Sequence, residues 1–229
     1  MPSPSDHVLD DPVRQSLMTR HAHLARSVGT ALTYPADVAT FAAVPPAPLD
    51  SDWDDLARLL GPGGLADLFG ADVTAPPDWE PLFGLDGFQL VLAAAGDEAP
   101  TAPIVQLGPK DVVEMTALAE RTAPGPFWPR SIELGEFLGI RCDGHLVAMA
   151  GERLCPPGWR EISTVCTAPE ARGRGLAAQL VNATAQRIIA RGDRAFLHVA
   201  ASNPGALRLY RRLGFVIRRT VRFHGYRTP

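Results

Sequence analysis

The sequence predicts an α/β fold in which helices cover one mixed β-sheet, and two observations carry that prediction. Two alternating runs flank Asp143-Gly144, a dipeptide typical of a tight turn between antiparallel strands. Farther along, a strand over 160–167, a helix over 173–191 and a strand over 195–200 form a β-α-β series, which usually joins parallel strands. A sheet that contains both kinds of connection is mixed.

The first hundred residues carry the weaker element signals. We expect a polar, proline-bearing lead-in over 1–16, followed by short elements that end at glycine or proline. They are a helix from Leu17 to Ser27, a short strand over 37–44, a helix over DWDDLARLL that ends at Gly61, a short helix over LADLF, and a strand over 87–95. Residues 96–102 form a linker by composition.

The second half of the chain shows clearer patterns. Strands are predicted over 103–107, over 137–154 as a hairpin, and over 160–167, 195–200 and 215–227, with helices over 109–121, 173–191 and 203–214. The apolar stripe of the helix over 173–191 contains Thr184, whose hydroxyl we expect to bond back to the helix backbone. We therefore divide the chain into an N-terminal region, 1–100, and a C-terminal domain, 103–229.

Composition limits the classes of function. With 46% hydrophobic residues in 229, the chain can bury a sizeable core, and a net charge of −3 gives it no general affinity for nucleic acid or acidic membranes. No apolar stretch approaches the ~20 residues of a membrane helix, so we expect a cytoplasmic protein without a membrane or nucleic-acid partner. Cys142, Cys155 and Cys166 lack CxxC spacing, which argues against a disulfide framework and against a metal site.

The segment ARGRGLAAQL, residues 171–180, carries two glycines and two arginines at the start of a helix. A helix N-terminus has unpaired N–H groups and a partial positive charge, so a glycine loop there can hold a phosphate. The pattern R-x-x-G-x-[GA] also occurs at Arg58, but there the arginine lies inside a helix and no strand precedes it. The strand before residue 168 therefore favours the phosphate interpretation of 171–180.

Two segments together resemble the GNAT superfamily of acetyl-CoA-dependent N-acetyltransferases. TVCTAPEARGRGLAAQLV is similar to the strand–loop–helix pyrophosphate motif of that family, and ASNPGALRLYRRLGFV is similar to its N…A…LY…LGF segment. The resemblance covers about 103–227 and implies a mostly antiparallel mixed sheet flanked by helices. For 1–100 we expect either an α/β extension or a degenerate copy of the same fold.

The resemblance also implies which residues bind acetyl-CoA. The family's sheet splays at the motif, so the backbone of three strand residues would pair with the pantetheine arm, as an added strand does: Val165, Cys166 and Thr167. The loop would hold the pyrophosphate through main-chain N–H groups, with arginines assisting: Arg172, Gly173, Arg174, Gly175, Leu176, Ala177 and Ala178. Asn203 would contact the pantetheine region and also suits a helix N-cap before Pro204.

Three residues are candidates for the chemistry that the resemblance implies. Tyr210, seven residues after Asn203, takes the position of the acid that protonates the leaving thiolate. Glu161, eleven residues before Arg172, is the leading base, and His198, five residues before Asn203, is its rival, with an ordinary pKa of about 6.5. A base that acts through water from either residue stays open.

Other polar and aromatic residues receive weaker assignments. Glu152 and Arg153 at a strand end, and Phe127 and Trp128 in the loop over 122–130, could face the acceptor pocket. Cys166 lies in an alternating strand beside β-branched residues, so we interpret it as a small core residue rather than a nucleophile.

The predicted activity is transfer of acetyl from acetyl-CoA to a primary amine by direct attack. The acceptor would be a small molecule or a peptide, the protein a monomer or a homodimer, and no metal would take part. The alternative is a CoA-binding regulatory module without transferase activity. Tyr210 and Glu161 favour the enzyme, because a module that only binds CoA needs neither.

Overall fold

The computed structural model describes residues 4–70, 73–94, 96 and 101–229. Its strands are, in chain order, β1 Arg26–Val28, β2 Ala31–Thr33, β3 Ala42–Ala43, β4 Leu65–Phe69, β5 Glu80–Leu92, β6 Ile104–Leu107, β7 Phe137–Cys142, β8 His145–Glu152, β9 Trp159–Thr167, β10 Arg194–Ala200 and β11 Phe215–Arg227. Its α-helices are α1 Pro12–Met18, α2 Asp50–Leu60, α3 Val112–Thr122, α4 Leu176–Ala190 and α5 Pro204–Arg212.

Short 3₁₀ turns complete the described elements. They span Pro4–Asp10, Ala22–Leu24, Pro109–Asp111, Ser131–Leu134 and Pro169–Ala171. No helix in the described part of the chain is both long and apolar enough to cross a membrane.

The larger sheet confirms the predicted mixed, mostly antiparallel architecture. It has eight strands in the order β4-β11-β5-β10-β9-β8-β7-β6, and a smaller sheet has the order β1-β2-β3. Among the described strands of the larger sheet, only β9 and β10 pair in parallel, and they are joined through α4 as the β-α-β series predicted. The hairpin at Asp143-Gly144 joins β7 and β8 as expected.

The N-terminal region supplies strands to the larger sheet. β5 lies between β10 and β11 and is antiparallel to both, while β4 pairs with the outer edge of β11. Residues on both sides of the proposed boundary thus share one sheet, and the division into 1–100 and 103–229 stays a prediction. Of the predicted linker 96–102, residues 97–100 lie outside the described residues.

Two predicted N-terminal elements are wrong. LADLF is not a helix but strand β4, because it hydrogen-bonds to β11 and buries Ala66 and Leu68 against α2. The helix expected from Leu17 to Ser27 is instead α1, which spans only Pro12–Met18, and Ser27 lies in strand β1. α1 begins where the side chain of Asp11 accepts from the N–H of Arg14. Proline at the first helical position and a capping aspartate are strong start signals, and we missed them.

The helices of the C-terminal half pack on the sheet as their patterns predicted. α4 packs on β8, β9 and β10, and its stripe includes Leu180, Val181 and Ile188. The hydroxyl of Thr184 donates to the carbonyl of Leu180 at 2.8 Å, which satisfies this buried polar group as expected.

Buried ion pairs attach the N-terminal region to the C-terminal half. Asp193 accepts from Arg20 at 2.6 Å and from Arg160 at 2.8 Å. Arg160 also pairs with Glu152 at 2.8 Å, and Glu152 accepts from Arg191. Neighbouring charges in this network are therefore compensated, as burial requires.

Candidate active site

The parallel strands β9 and β10 separate partway along their length. Their pairing covers only three residue pairs, from Arg194 with Trp159 to Phe196 with Glu161. β9 continues to Thr167 and β10 to Ala200. The strands therefore open beyond Glu161, and the edge of β9 that the resemblance assigns to pantetheine faces this opening.

A β-bulge distorts β9 at the opening. Thr164 has φ of +53°, and the pairing with β8 shifts by one residue between Met149 with Cys166 and Gly151 with Ser163. A bulge leaves a residue without a ladder partner and bends its strand. The bulge was missed in the sequence, because no glycine marks it.

The glycine loop has the geometry of an anion cradle. Gly173 and Gly175 have φ of +78° and +73°, and a Cβ at either would meet no heavy atom within 4 Å. Since α4 begins at Leu176, the N–H groups of its first turn have no acceptor within the helix. The positive φ angles thus explain why glycine occupies both positions, and the space beside their α-carbons is open.

A cavity of about 250 Å³ lies over this loop. Its walls include the loop residues, Thr167, and Leu209 and Arg212 of α5. The hydroxyl of Thr167 is buried there without a hydrogen-bond partner among the described residues, although such groups are normally paired. Arg212, which we did not predict, adds a positive charge, and it lines the cavity together with Leu209, three residues earlier on α5.

The loop arginines differ in their contacts. The Nε of Arg172 donates to the carbonyl of Thr167 at 3.3 Å, so this side chain folds back over the end of β9. Arg174 is exposed beside Gly173 and Gly175. The guanidinium groups of Arg172 and Arg174 both place positive charge near the cavity.

Asn203 caps α5, and its Oδ1 accepts from the N–H of Ala206 at 3.0 Å. This contact confirms the N-cap assignment, while its contact with pantetheine stays a prediction. Tyr210, on the inner face of the same helix, is 8% exposed and packs in one apolar cluster with Val165 and Phe215.

The hydroxyl of Tyr210 is available to a ligand. It has no hydrogen-bond partner within the described part of the chain, and its atom is not sealed from solvent. Burial raises the pKa of Tyr210 to about 12, an increase that the charge of Arg153 partly offsets. The phenol is therefore protonated at neutral pH.

Glu161 is a buried, ion-paired carboxylate. Its side chain is 0% exposed, and it accepts from Nε and Nη2 of Arg153 at 2.8 and 2.6 Å. Burial alone would raise its pKa, but Arg153 and the hydrogen bond from His198 lower the pKa of Glu161 to about 2. A carboxylate held this firmly is a weak base.

His198 lies beside Glu161 across the start of the opening. Its Nδ1 is 2.7 Å from Oε1 of Glu161, and its Nε2 is 3.1 Å from Nε2 of Gln89. Because the amide nitrogen of Gln89 can only donate, Nε2 accepts and Nδ1–H donates to Glu161. Burial lowers the pKa of His198, so the ring is neutral at neutral pH.

The structure brings Glu161 and His198 together as one pair, which the sequence presented as rivals. The pair is enclosed by the rings of Phe69, Phe196 and Phe223. Gln89 of β5 and Arg153 of the segment after β8 complete it. The contacts of His198 with Glu161 and with Gln89 join residues 37 and 109 positions apart, so spacing gave no signal for them.

The cysteines and the acceptor-side candidates fall into two groups. Burial raises the pKa of Cys166, as expected of a core residue, and that of Cys155 to about 12. Glu152, Arg153 and Trp128 line a narrow cleft beside Thr164, whereas Phe127 packs into the core against Phe137. In the part of the chain that the structure describes, no group of three His, Cys, Asp or Glu side chains could hold a metal ion.

Comparison with known proteins identifies relatives of the whole chain. The model of the FR47-like protein family matches residues 137–224. A solved structure from Novosphingobium aromaticivorans, assigned to the GNAT family of acetyltransferases, is 38% identical, covers 98% of this chain and 100% of its own, and has a TM-score of 0.88. A GCN5-related N-acetyltransferase from Kribbella flavida, 19% identical with 96% of both chains covered and a TM-score of 0.61, shares the fold.

A curated relative matches a shorter segment. A mycothiol acetyltransferase from Corynebacterium aurimucosum is 42% identical over 62 residues, which are 27% of this chain. The match spans only 20% of that protein's length.

Proposed function

This chain belongs to the GNAT family of N-acetyltransferases, and from that membership we propose that it moves acetyl from acetyl-CoA to a primary amine by direct attack. One observation carries the proposal: the strands open beside a glycine loop and beside a tyrosine hydroxyl that has no partner in the described residues. Family members use acetyl-CoA, and the unpaired hydroxyl of Thr167 in the loop cavity fits a ligand of that kind.

The proposed cofactor contacts follow from this geometry. The N–H groups over 173–178 hold the pyrophosphate, and Arg172, Arg174 and Arg212 add positive charge. The unpaired backbone edge of Val165, Cys166 and Thr167 binds the pantetheine arm as an added strand. Asn203, at the end of the opening, contacts the same arm.

In the proposed reaction the neutral amine attacks the thioester carbonyl carbon. A C–N bond forms, the C–S bond breaks, and the thiolate leaves with the electron pair. Tyr210 donates a hydrogen bond to the developing thiolate. Its pKa of about 12 lies above the pKa of an ordinary thiol, about 8.5, so hydrogen-bond donation is favoured over complete proton transfer.

The proton of the amine goes to the Glu161–His198 pair, directly or through water. Of the two, His198 is the better acceptor, because Glu161 already shares its charge with Arg153. The proton goes to Nε2, and the amide N–H of Gln89 that donates to this nitrogen turns away when it does. Glu161 would then stabilise the protonated ring through Nδ1–H. This order reverses the preference for Glu161 that the sequence suggested.

The test of the activity is free-thiol release from acetyl-CoA in the presence of an amine panel. Thiol release that depends on both substrates, with acetylated amine found by mass spectrometry, is expected. Binding of acetyl-CoA without thiol release from any amine would contradict the enzyme and favour a binding module.

The base is tested by the pH dependence of kcat/KM in two variants. His198→Gln should remove the acidic limb of the profile, since the titrating ring is lost. Glu161→Gln should keep that limb and shift its midpoint to lower pH, because the ring loses its carboxylate partner. Loss of the limb only in Glu161→Gln would reverse the assignment.

A further inference from the structure

A narrow cleft beside the bulge of β9 offers a site for the acceptor amine. It is lined by Thr164, by Trp128 of the loop before β7, by Val38 and Phe41 of the N-terminal region, and by Arg153. Thr164 directly precedes Val165, the first residue proposed to bind pantetheine. Arg153, which lines the cleft, also binds Glu161, so the cleft adjoins the proposed base.

Of the two charged side chains that line the cleft in the described part of the chain, Glu152 is fully paired, whereas Arg153 has a nitrogen that a ligand can reach. Glu152, the carboxylate that lines it, is 0% exposed at its side chain and is already paired with Arg160 and Arg191. Arg153 uses Nε and Nη2 for Glu161, and its Nη1 has no hydrogen-bond partner among the described residues. That nitrogen is also not sealed from solvent.

The position of Arg153 is rigid. Its guanidinium lies over the ring of Phe69, 4.4 Å from the centroid, and over that of Phe41 at 5.2 Å. Two bonds to Glu161 and two aromatic faces leave the side chain little freedom. Nη1 is thus a fixed donor in a wall that is mostly apolar and aromatic and whose one carboxylate among the described residues, Glu152, is already paired.

Resting on the proposed acetyl transfer, we propose that the acceptor is an α-aminoacyl compound with an apolar side chain. Its carbonyl or carboxylate oxygen accepts from Nη1 of Arg153, and its side chain packs against Val38, Phe41 and Trp128. The amine, one carbon from the carbonyl, then reaches the thioester beside Thr164. Free amino-acid amides and peptide N-termini share this chemistry.

The same wall disfavours polycationic amines. A second ammonium group needs a carboxylate, and the one that lines the cleft among the described residues is committed to two arginines. Arg153 would also repel it. In this conformation the free volume is about 10 Å³, close to one water molecule, so the acceptor enters with outward movement of Trp128.

The experiment compares kcat/KM, per neutral amine, for phenylalaninamide, a phenylalanine-initiated tripeptide, 2-phenylethylamine and spermidine. Phenylalaninamide has the carbonyl group that 2-phenylethylamine lacks. A hydrogen bond from a charged donor to that carbonyl should raise kcat/KM for phenylalaninamide about 10- to 100-fold over 2-phenylethylamine. Arg153→Lys should bring the ratio of phenylalaninamide to 2-phenylethylamine close to one. Arg141→Lys, a change at an arginine paired with Asp111 and Glu114 far along the hairpin, should leave the ratio unchanged.

The outcomes separate this inference from the activity itself. A ratio near one in the unaltered protein, a ratio that Arg153→Lys does not change, or a preference for spermidine would overturn the α-aminoacyl acceptor while acetyl transfer stands. Absence of thiol release with every amine would overturn the proposed activity and this inference with it. The relative rates of amide and tripeptide identify which source of the aminoacyl group is used.

Discussion

The hydroxyl of Tyr210 is the clearest single-residue clue to the chemistry. The side chain is 8% exposed, yet its hydroxyl has no partner among the described residues. Because the hydroxyl is open to solvent and the ring packs with Val165 at the opening between β9 and β10, a ligand atom can pair with it without displacing a protein group.

Tyr210→Phe should reduce kcat by about 100-fold, the lower range for a lost proton-donating group. Affinity for acetyl-CoA should change little, because the ring and its packing against Phe215 remain. Steady-state kinetics and calorimetric binding measure the two quantities. An unaltered kcat would remove Tyr210 from the mechanism.

His21 links single-residue chemistry to stability. Its Nδ1 is 2.9 Å from the hydroxyl of Tyr34 and its Nε2 is 3.0 Å from the carbonyl oxygen of Leu134. Burial lowers its pKa to about 4. In the unfolded chain His21 has its ordinary pKa of about 6.5, so as pH falls the unfolded state is protonated before the folded state. The contribution of neutral His21 to the free energy of unfolding is therefore complete above pH 6.5 and is lost as pH falls to about 4.

His21→Gln should show a weaker loss of stability between pH 7 and pH 4 than the unaltered protein, by about 3 kcal/mol. Glutamine can donate and accept at this site but does not titrate. Urea unfolding of both proteins at pH 7 and pH 4 measures this difference in the free energy of unfolding. Burial raises the pKa values of Asp11 and Asp67 to about 6, which has the opposite effect on stability, but both proteins contain these residues, so their contribution cancels in the comparison. Parallel pH dependence of the two proteins would argue against this role.

At the scale of elements, the start of α4 determines whether the glycine loop can hold an anion. Gly175 is the N-cap of α4 with φ of +73°, and a side chain there meets strain rather than a steric contact. Gly192, after the same helix, has φ of +81° and the same open surroundings. A side chain at either glycine would thus cause similar backbone strain, at opposite ends of the same helix.

Gly175→Val should reduce acetyl-CoA affinity at least about tenfold, because displaced N–H groups lose charge-assisted hydrogen bonds. Gly192→Val is the matched control, with a similar stability cost of about 1–2 kcal/mol. Calorimetric titration with acetyl-CoA and urea unfolding separate binding from strain. Equal affinity in the two variants would refute the cradle.

At the scale of the whole molecule, β5 makes the two regions of the chain interdependent. It pairs with β10 over residues 87–91 and with β11 along its length. Without it both neighbours would have an unpaired edge, which promotes aggregation. Gln89 of β5 also contacts His198, so the N-terminal region contributes to the site.

The fragment 103–229 should therefore fail to fold cooperatively, although it contains both family motifs. The fragment 80–229, which restores β5, is the matched control and should recover part of the cooperativity. Urea unfolding followed by circular dichroism compares them with the full chain. A fragment 103–229 that unfolds cooperatively and releases thiol at the full rate would support the boundary at residue 103 against this prediction.

Sequence alone determined the family, the hairpin at Asp143-Gly144 and the helices α4 and α5, because each rests on residues close together in the chain. The glycine loop and the Asn203–Tyr210 spacing are local patterns of this kind. The structure places Gly175 at the N-cap of α4 and Asn203 at the N-cap of α5, and their contacts with acetyl-CoA stay predictions. Tertiary structure alone decided that LADLF is a strand, that β5 enters between β10 and β11, and that Arg153 and His198 both bind Glu161. Strand pairing and the contact of His198 with Glu161 join distant residues, and Arg153 meets Glu161 only because β8 and β9 lie side by side. The free energy of such contacts depends on tertiary partners that no local pattern specifies.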